Sequence, residues 1–466
     1  MDRQLMATQE AIEEIWDIAK GFGLDPFPIH FEIVPATQMY EIGAYGIPGR
    51  FSHWTNGKAY HQLKTRYDYG LSKIYELVIN TDPCYAFLME SNSLLQNKLV
   101  IAHVIAHCDF FKNNAYFGST NRQMVETASV SADRIRQYEF MHGKLEVEKF
   151  LDAVLSIQWH VHGNDFIKRK IEDDKKDKKA PETPYDDLFN LGVKEGPEEQ
   201  KKVTKKIPPE PESDLLLFFA ENAPNLEDWQ RDIIDVVRAE ALYFVPQMRT
   251  KIVNEGWASF WHARILRELS LTDEEAVEFA KLHSGVLSPS KMDLNPYFVG
   301  MKMLEDIENR WNEPTEEERK KFGRSGNQGR AKIFDVRSVE DDASFIRNFL
   351  TKKLVEELDL YIYKREGDEL LVMEKDWEKI RKVMIEMVAR RVPSIEIVDA
   401  DFRGASWLYL EHRFEDDGVE LDMTYAMRTM EMIYLIWGRN VNLKAVVNGV
   451  PTLTWYDGKK FEQKRL

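Results

Sequence analysis

Apolar residues recur at helical spacing over residues 4–22, where Leu5, Ile12, Ile15, Trp16 and Ile18 sit among acids. Gly21 and Gly23 end the helix that this pattern predicts. Phe31-Glu-Ile-Val34, set between Pro28 and Pro35, predicts an extended segment. Ile74-Tyr-Glu-Leu-Val-Ile79 predicts a strand, and a short helix is expected over 84–91. The densest apolar run follows. Leu94, Leu95, Leu99, Val100, Ile101, Val104 and Ile105 predict a largely buried helix. Further helices are expected over 121–140 and 145–162, and helical spacing dominates again from Asp214 to about 269. Thr272, with Glu275 three positions on, caps a predicted helix over 272–283, and another is expected over 297–311.

The pattern breaks at Gly323-Arg-Ser-Gly-Asn-Gln-Gly329 and resumes as a mixture of periods from about 331. Leu358–Tyr363 and Glu369–Met373 flank a Gly-Asp turn and predict a hairpin. A helix is expected over 376–390, strands over 394–398 and 407–412, a helix over 421–437 and a last hairpin over 443–456. Two stretches stand apart. Residues 43–70 are rich in aromatics, Gly and His, which predicts a loop-rich wall, either packed surface aromatics or the rim of a pocket. Residues 168–212 are charged and then proline-punctuated, which predicts a solvated linker or insertion. The expected organisation is therefore 1–167, the linker at 168–212, a helical part at 213–322 that completes the first domain, and a C-terminal domain at 331–466.

At 466 residues the chain exceeds one ordinary core. Its 63 basic and 79 acidic residues leave a net charge of −16, which argues against nucleic acid or an anionic membrane as a broad electrostatic partner. Only Cys84 and Cys108 are present, as suits a reducing compartment. No apolar run approaches the ~20 residues of a membrane span, and Met1-Asp-Arg-Gln-Leu-Met-Ala does not open like a secretory signal. A cytoplasmic protein is expected.

Chemistry concentrates in the apolar run. His103 and His107 lie four residues apart, on one face of the predicted helix. Two imidazoles so placed hold zinc in peptidases of the His-Glu-x-x-His type. Val104 stands where those enzymes keep their water-activating Glu. Two carboxylates compete as third ligand. Glu126 follows His107 at the spacing found in zinc aminopeptidases. Glu255, in Asn254-Glu-Gly-Trp-Ala, is similar to third-ligand segments of several zinc peptidase families and is an acid among Ile252, Val253, Trp257, Phe260 and Trp261. Glu255 is preferred. If Glu126 is the ligand instead, Glu255 is free to act as base. His262, seven residues along the same helix, is a candidate acid, base or ligand-orienting group. Gly256 would permit close approach of another element. Asp109 points about 200° away from His107 and is expected to make a helix-end or supporting contact. These residues make the expected fold class α+β: a largely helical, zincin-like metal-site domain, then a smaller α+β C-terminal domain.

With these segments in view, the chain resembles the SpoVR (stage V sporulation protein R) family. The resemblance rests on His53-Trp54, Tyr67-Asp-Tyr-Gly70, Tyr75-Glu-Leu-Val-Ile-Asn80, the block from His103 to Asn114, Tyr243-Phe-Val-Pro-Gln247, Asn254-Glu-Gly-Trp-Ala-Ser, Asn295-Pro-Tyr297 and Leu435-Ile-Trp-Gly-Arg439. It implies, in spore formers, a part in forming the cortex, a peptidoglycan layer, with other cell-wall or sporulation proteins as partners. Relatives occur in bacteria that make no spores, so the shared activity is not sporulation itself. Together the residues and the resemblance lead to two expectations. One is a zinc-dependent hydrolase, peptidase- or amidase-like, acting on peptide or peptidoglycan-related amide bonds. The other is a non-catalytic scaffold or regulator of cell-wall assembly with a structural metal site.

Overall fold

In a computed structural model, which describes residues 2–69, 76–162, 206–367, 369–389 and 392–466, the chain divides into two units. The first is Met1–Glu148 with Tyr243–Arg391, and the second is Lys149–Leu242 with Val392–Leu466. The class is mixed α+β: mostly helical, with a sheet in the C-terminal part. Most of the linker expected at 168–212 lies outside the described residues, as do the first two residues of the strand expected at 74–79.

The first unit is built around the helix Leu94–Asn113, called here the histidine helix. Ser93 starts it. Its hydroxyl accepts from the Gln96 amide and the Gln96 side chain accepts from the Ser93 amide, so two otherwise orphaned donors are satisfied reciprocally. Residues 99–111 are all buried, so the helix has no polar face and belongs in the core. Against it pack the helices Asp2–Gly21 and Lys251–Glu268. The latter, the glutamate helix, packs in turn on the helix Pro296–Asn312.

Gly256 makes that last contact close, as its sequence position leads one to expect. A Cβ on Gly256 would lie 2.4 Å from the Gly300 carbonyl carbon, and one on Gly300 would lie 2.1 Å from the Ile252 oxygen. Neither backbone can yield without moving a helix. Gly300→Ala is therefore expected to cost roughly 3 kcal/mol or more, the upper end of overpacking penalties, read as a lowered urea midpoint at unchanged m-value.

Three strands cover one side: β1 (Ile29–Val34), β2 (Glu76–Ile79) and β3 (Cys84–Met89), in the order β1-β3-β2. β3 is parallel to β1 and antiparallel to β2. The segment 84–91, expected as helix, is thus largely the central strand. Its residues are nearly all buried, so it lacks the alternation that marks a half-exposed strand. The loop-rich reading of 43–70 also fails. Helices Ala36–Tyr45 and Trp54–Asp68 occupy most of this stretch, because Gly46, Pro48 and Gly49 gather in the turn between them and leave the flanking aromatics free to be helical. The buried His53 is a cap: its Nδ1 accepts from the Thr55 amide at 3.4 Å. The expected hairpin is present as β4 (Ile362–Glu366) and β5 (Glu369–Glu374).

The second unit carries a five-stranded sheet. Its order is β10-β9-β8-β7-β6, from β6 (Ile395–Phe402), β7 (Trp407–His412), β8 (Val441–Val447), β9 (Val450–Tyr456) and β10 (Phe461–Arg465). β7 and β8 pair in parallel, Leu410 beside Leu443, and the helix Met423–Trp437 spans the crossover that a parallel pair requires. β10 extends the expected final hairpin by one strand. Among the described residues no helix is long and apolar enough to cross a membrane.

Candidate metal centre

One turn of the histidine helix separates His103 from His107, and both rings are buried. Glu255 comes from the glutamate helix and Glu76 from the first residue of β2. One donor atom from each of the four lies within 4.8 Å of every other. The Glu255 Oε2 is 3.5 Å from His103 Nε2 and 3.4 Å from His107 Nε2, and Glu76 Oε1 is 3.3 Å from His103 Nε2. These separations are long for direct hydrogen bonds to charged groups, which close to about 2.7–2.9 Å. His103 Nε2 and Glu255 Oε2 are accordingly buried without a hydrogen-bond partner. Donors held 2.0–2.2 Å from a tetrahedral ion stand about 3.3–3.6 Å apart, and the three distances fall in that range.

The glutamate helix also orients both imidazoles. Asn254 Oδ1 is 2.9 Å from His107 Nδ1, and His262 Nδ1 is 2.8 Å from His103 Nδ1. His262 is fully buried, and its Nε2 lies 2.9 Å from Nδ1 of His283, a half-buried residue of the helix Asp273–Val286. The Nε2 of each ring, which faces the carboxylates, is thus held from the opposite side, an arrangement usual for metal-binding histidines. Tyr297, at the start of the helix Pro296–Asn312, has its ring 6.0 Å from that of His103 and its hydroxyl within the influence of Glu255.

Electrostatics bind the group together. Burial opposes a charge on His103, but Glu76 and Glu255 outweigh it and lift the His103 pKa to about 9. Burial likewise opposes a charge on Glu255, and the two imidazoles outweigh it, holding the carboxyl well below its usual range. Burial, then the neighbouring imidazoles, push His262 far down, so it is neutral. Burial, then Glu255 and Glu76, push the Tyr297 hydroxyl up, and it remains a donor. In the metal-free protein His103 therefore carries a proton on the nitrogen an ion needs. A metal ion bound here at neutral pH would release that proton, so added zinc is expected to bind with an affinity that rises with pH up to about 9. Calorimetric heats that vary with the ionisation enthalpy of the buffer check this.

Of the residues singled out from sequence, His103, His107 and Glu255 come together here. His262 stands directly behind His103. Glu126 is exposed on the helix Met124–His142 and is not part of the cluster. Asp109, turned away from the cluster as expected, is wholly buried. It accepts from Arg337 Nη1 at 2.8 Å, from Trp257 Nε1 at 2.9 Å and from the Asp25 amide at 2.7 Å. Cys108 is buried and free, and burial pushes its thiol well up. Glu76, Asn254, His283 and Tyr297 were not picked out from sequence as site residues. Glu76 had a detectable signal, a carboxylate at the head of the β-branched run Glu76-Leu-Val-Ile79.

Comparison with known proteins assigns the chain. A family model described as SpoVR like protein matches residues 2–392, and one described as SpoVR-like C-terminal domain matches residues 393–448. The chain belongs to the SpoVR family. Its similarity to a relative from Escherichia coli (strain K12), "Uncharacterized protein YcgB", is 31% identity over 466 residues, covering 93% of this chain and 90% of the relative. No solved structure matches. The junction between the two SpoVR models, at 392 and 393, falls within one residue of the last division between the two units.

Proposed function

We propose that this SpoVR-family chain is a cytoplasmic, zinc-dependent, zincin-like hydrolase of amide bonds in peptides or peptidoglycan-related molecules, serving cortex formation in spore formers. The observation that carries the reading is the pair of orphaned buried atoms, His103 Nε2 and Glu255 Oε2, among donors at tetrahedral spacing. Two imidazoles with carboxylates are a donor set that suits zinc.

In this reading His103, His107 and Glu255 are the ligands. A bound zinc would acidify a water and polarise a substrate carbonyl. Glu76 supplies the base that Val104 is not: its carboxylate borders the cluster and is partly open to solvent, so it can take a proton from water. Tyr297 keeps its proton and donates to Glu255 or to a developing negative charge beside it. His262, with both ring nitrogens engaged, orients His103.

The second reading, a non-catalytic scaffold or regulator of cell-wall assembly, is favoured by the count of donors. Four protein ligands would close the tetrahedron and make the site structural. Glu76→Gln separates the two. If Glu76 is the base, the variant keeps one equivalent of zinc and loses roughly 10²–10⁴-fold of the hydrolysis rate on a panel of peptide and muropeptide amides. If wild-type holo-protein hydrolyses none of them and the variant loses zinc, the hydrolase reading is wrong.

A further inference from the structure

Three imidazoles run in a line from the metal centre toward the surface: His103, His262 and His283. Their Nδ1–Nδ1 and Nε2–Nδ1 separations, 2.8 and 2.9 Å, allow one proton in each gap. A neutral imidazole has one N–H and one lone pair, so a proton placed on one ring dictates the position on the next. Only two ordered arrangements satisfy both gaps. In one, His103 Nδ1–H donates to His262 Nδ1, and His262 Nε2–H donates to His283 Nδ1. In the other both bonds reverse, and His103 must accept at Nδ1.

We propose that His283 is a positioning residue that acts through His262 to hold His103 in its metal-binding tautomer. The inference rests on the metal reading above. A neutral His103 that accepts at Nδ1 carries its proton on Nε2, the nitrogen facing Glu76 and Glu255, and cannot ligate. In the outward arrangement the proton that His103 gives up on metal binding comes from Nε2 and the one on Nδ1 stays, which requires an acceptor beyond His262. Among the described residues that acceptor is His283 Nδ1. The ring of His283 is itself stacked on Phe279, with centroids 5.6 Å apart and planes 28° apart, so its lone pair is aimed rather than free to turn. Asn254 serves His107 as a terminal acceptor in one step. His103 is served in two, which places one end of its control on the mostly exposed helix Asp273–Val286.

The test compares His283→Leu with His283→Gln in the full-length protein. Leu removes the acceptor at similar bulk, whereas Gln can turn its amide oxygen toward His262. Zinc affinity should fall about 10–100-fold in His283→Leu, the usual cost of losing an orienting partner, and return to within a few-fold of wild type in His283→Gln. Nitrogen-15 spectra of the zinc-loaded wild type should show a protected proton on His103 Nδ1 and one on His262 Nε2, the latter lost in His283→Leu. Equal affinities in all three proteins, or a His262 proton found on Nδ1, would overturn the proposal. Failure of the wild type itself to bind zinc strikes instead at the metal reading beneath it. Melting temperatures measured without zinc should stay close across the set, since His283 is only half-buried; a collapse of both variants alike would mark a packing role and count against the relay.

Discussion

Purified without added metal, the wild-type protein should carry about one equivalent of zinc and His107→Ala none. His107 is a ligand in this account, so its loss must cost more than the 10–100-fold charged to a supporting partner. The effect has a thermodynamic echo. A ligand present at a thousand times its dissociation constant stabilises the folded state by about 4 kcal/mol, so zinc should raise the wild-type melting temperature and leave that of His107→Ala unmoved. Truncating the ring also removes its stacking on Phe111 and its edge contact with His103, so the metal-free variant is checked for an intact fold. Circular dichroism of the two metal-free proteins should show the same helical content, with the variant melting somewhat lower for the lost ring packing. A variant that binds zinc as well as wild type would remove His107 from the ligand set.

The second large effect is on stability and spares the metal donors. Asp109→Ala should destabilise the first unit by about 3–5 kcal/mol, the range seen when one partner of a buried ion pair is removed. The carboxylate answers three elements at once. Arg337 reaches it with Nη1 at 2.8 and 3.0 Å, Trp257 donates its indole N–H, and the Asp25 amide donates from the loop after the first helix. Without it a guanidinium is left nearly buried with its charge uncompensated. Asp109→Asn keeps an acceptor for the indole and the amide but not the countercharge, so it should fall between wild type and Ala. Chemical denaturation of the zinc-free proteins gives the order directly.

These two predictions draw on opposite faces of one helix, and the sequence showed that much. A spacing of four between His103 and His107, in a run apolar enough to be buried, already implied a shared face and a site inside the protein. Glu255 was legible because an acid within an aromatic helix needs a partner. Glu126 lies exposed and outside the cluster: helical spacing places it as readily toward solvent as inward, and no local signal distinguishes the two. Glu76 was missed because it comes from a different kind of element. A strand brings it to the histidines through tertiary pairing with β3, and nothing near residue 103 encodes that approach.

The fold divides in the same way. Helices with caps were readable where side chain and backbone answer each other locally, as at Thr272 and Glu275. β3 was misread because burial on both sides erased its alternation. Residues 43–70 differ from the loop-rich expectation because only Gly46, Pro48 and Gly49 fall in the turn, whereas Gly43 and Gly57 are accommodated inside helices. The near contact of Gly256 with Gly300 could be half anticipated: the sequence offered a small residue, and only the packed helices show what approaches it.

His103, His107 and Glu255 are expected to meet around one ion, with Glu76 at its edge. Anomalous diffraction at the zinc edge, from crystals grown of protein purified without chelator, tests it most directly. A single strong peak is expected about 2.0–2.2 Å from His103 Nε2, His107 Nε2 and a Glu255 carboxylate oxygen. A map with no peak among these side chains after soaking in zinc, each donor instead paired with a protein neighbour or an ordered water, would contradict it.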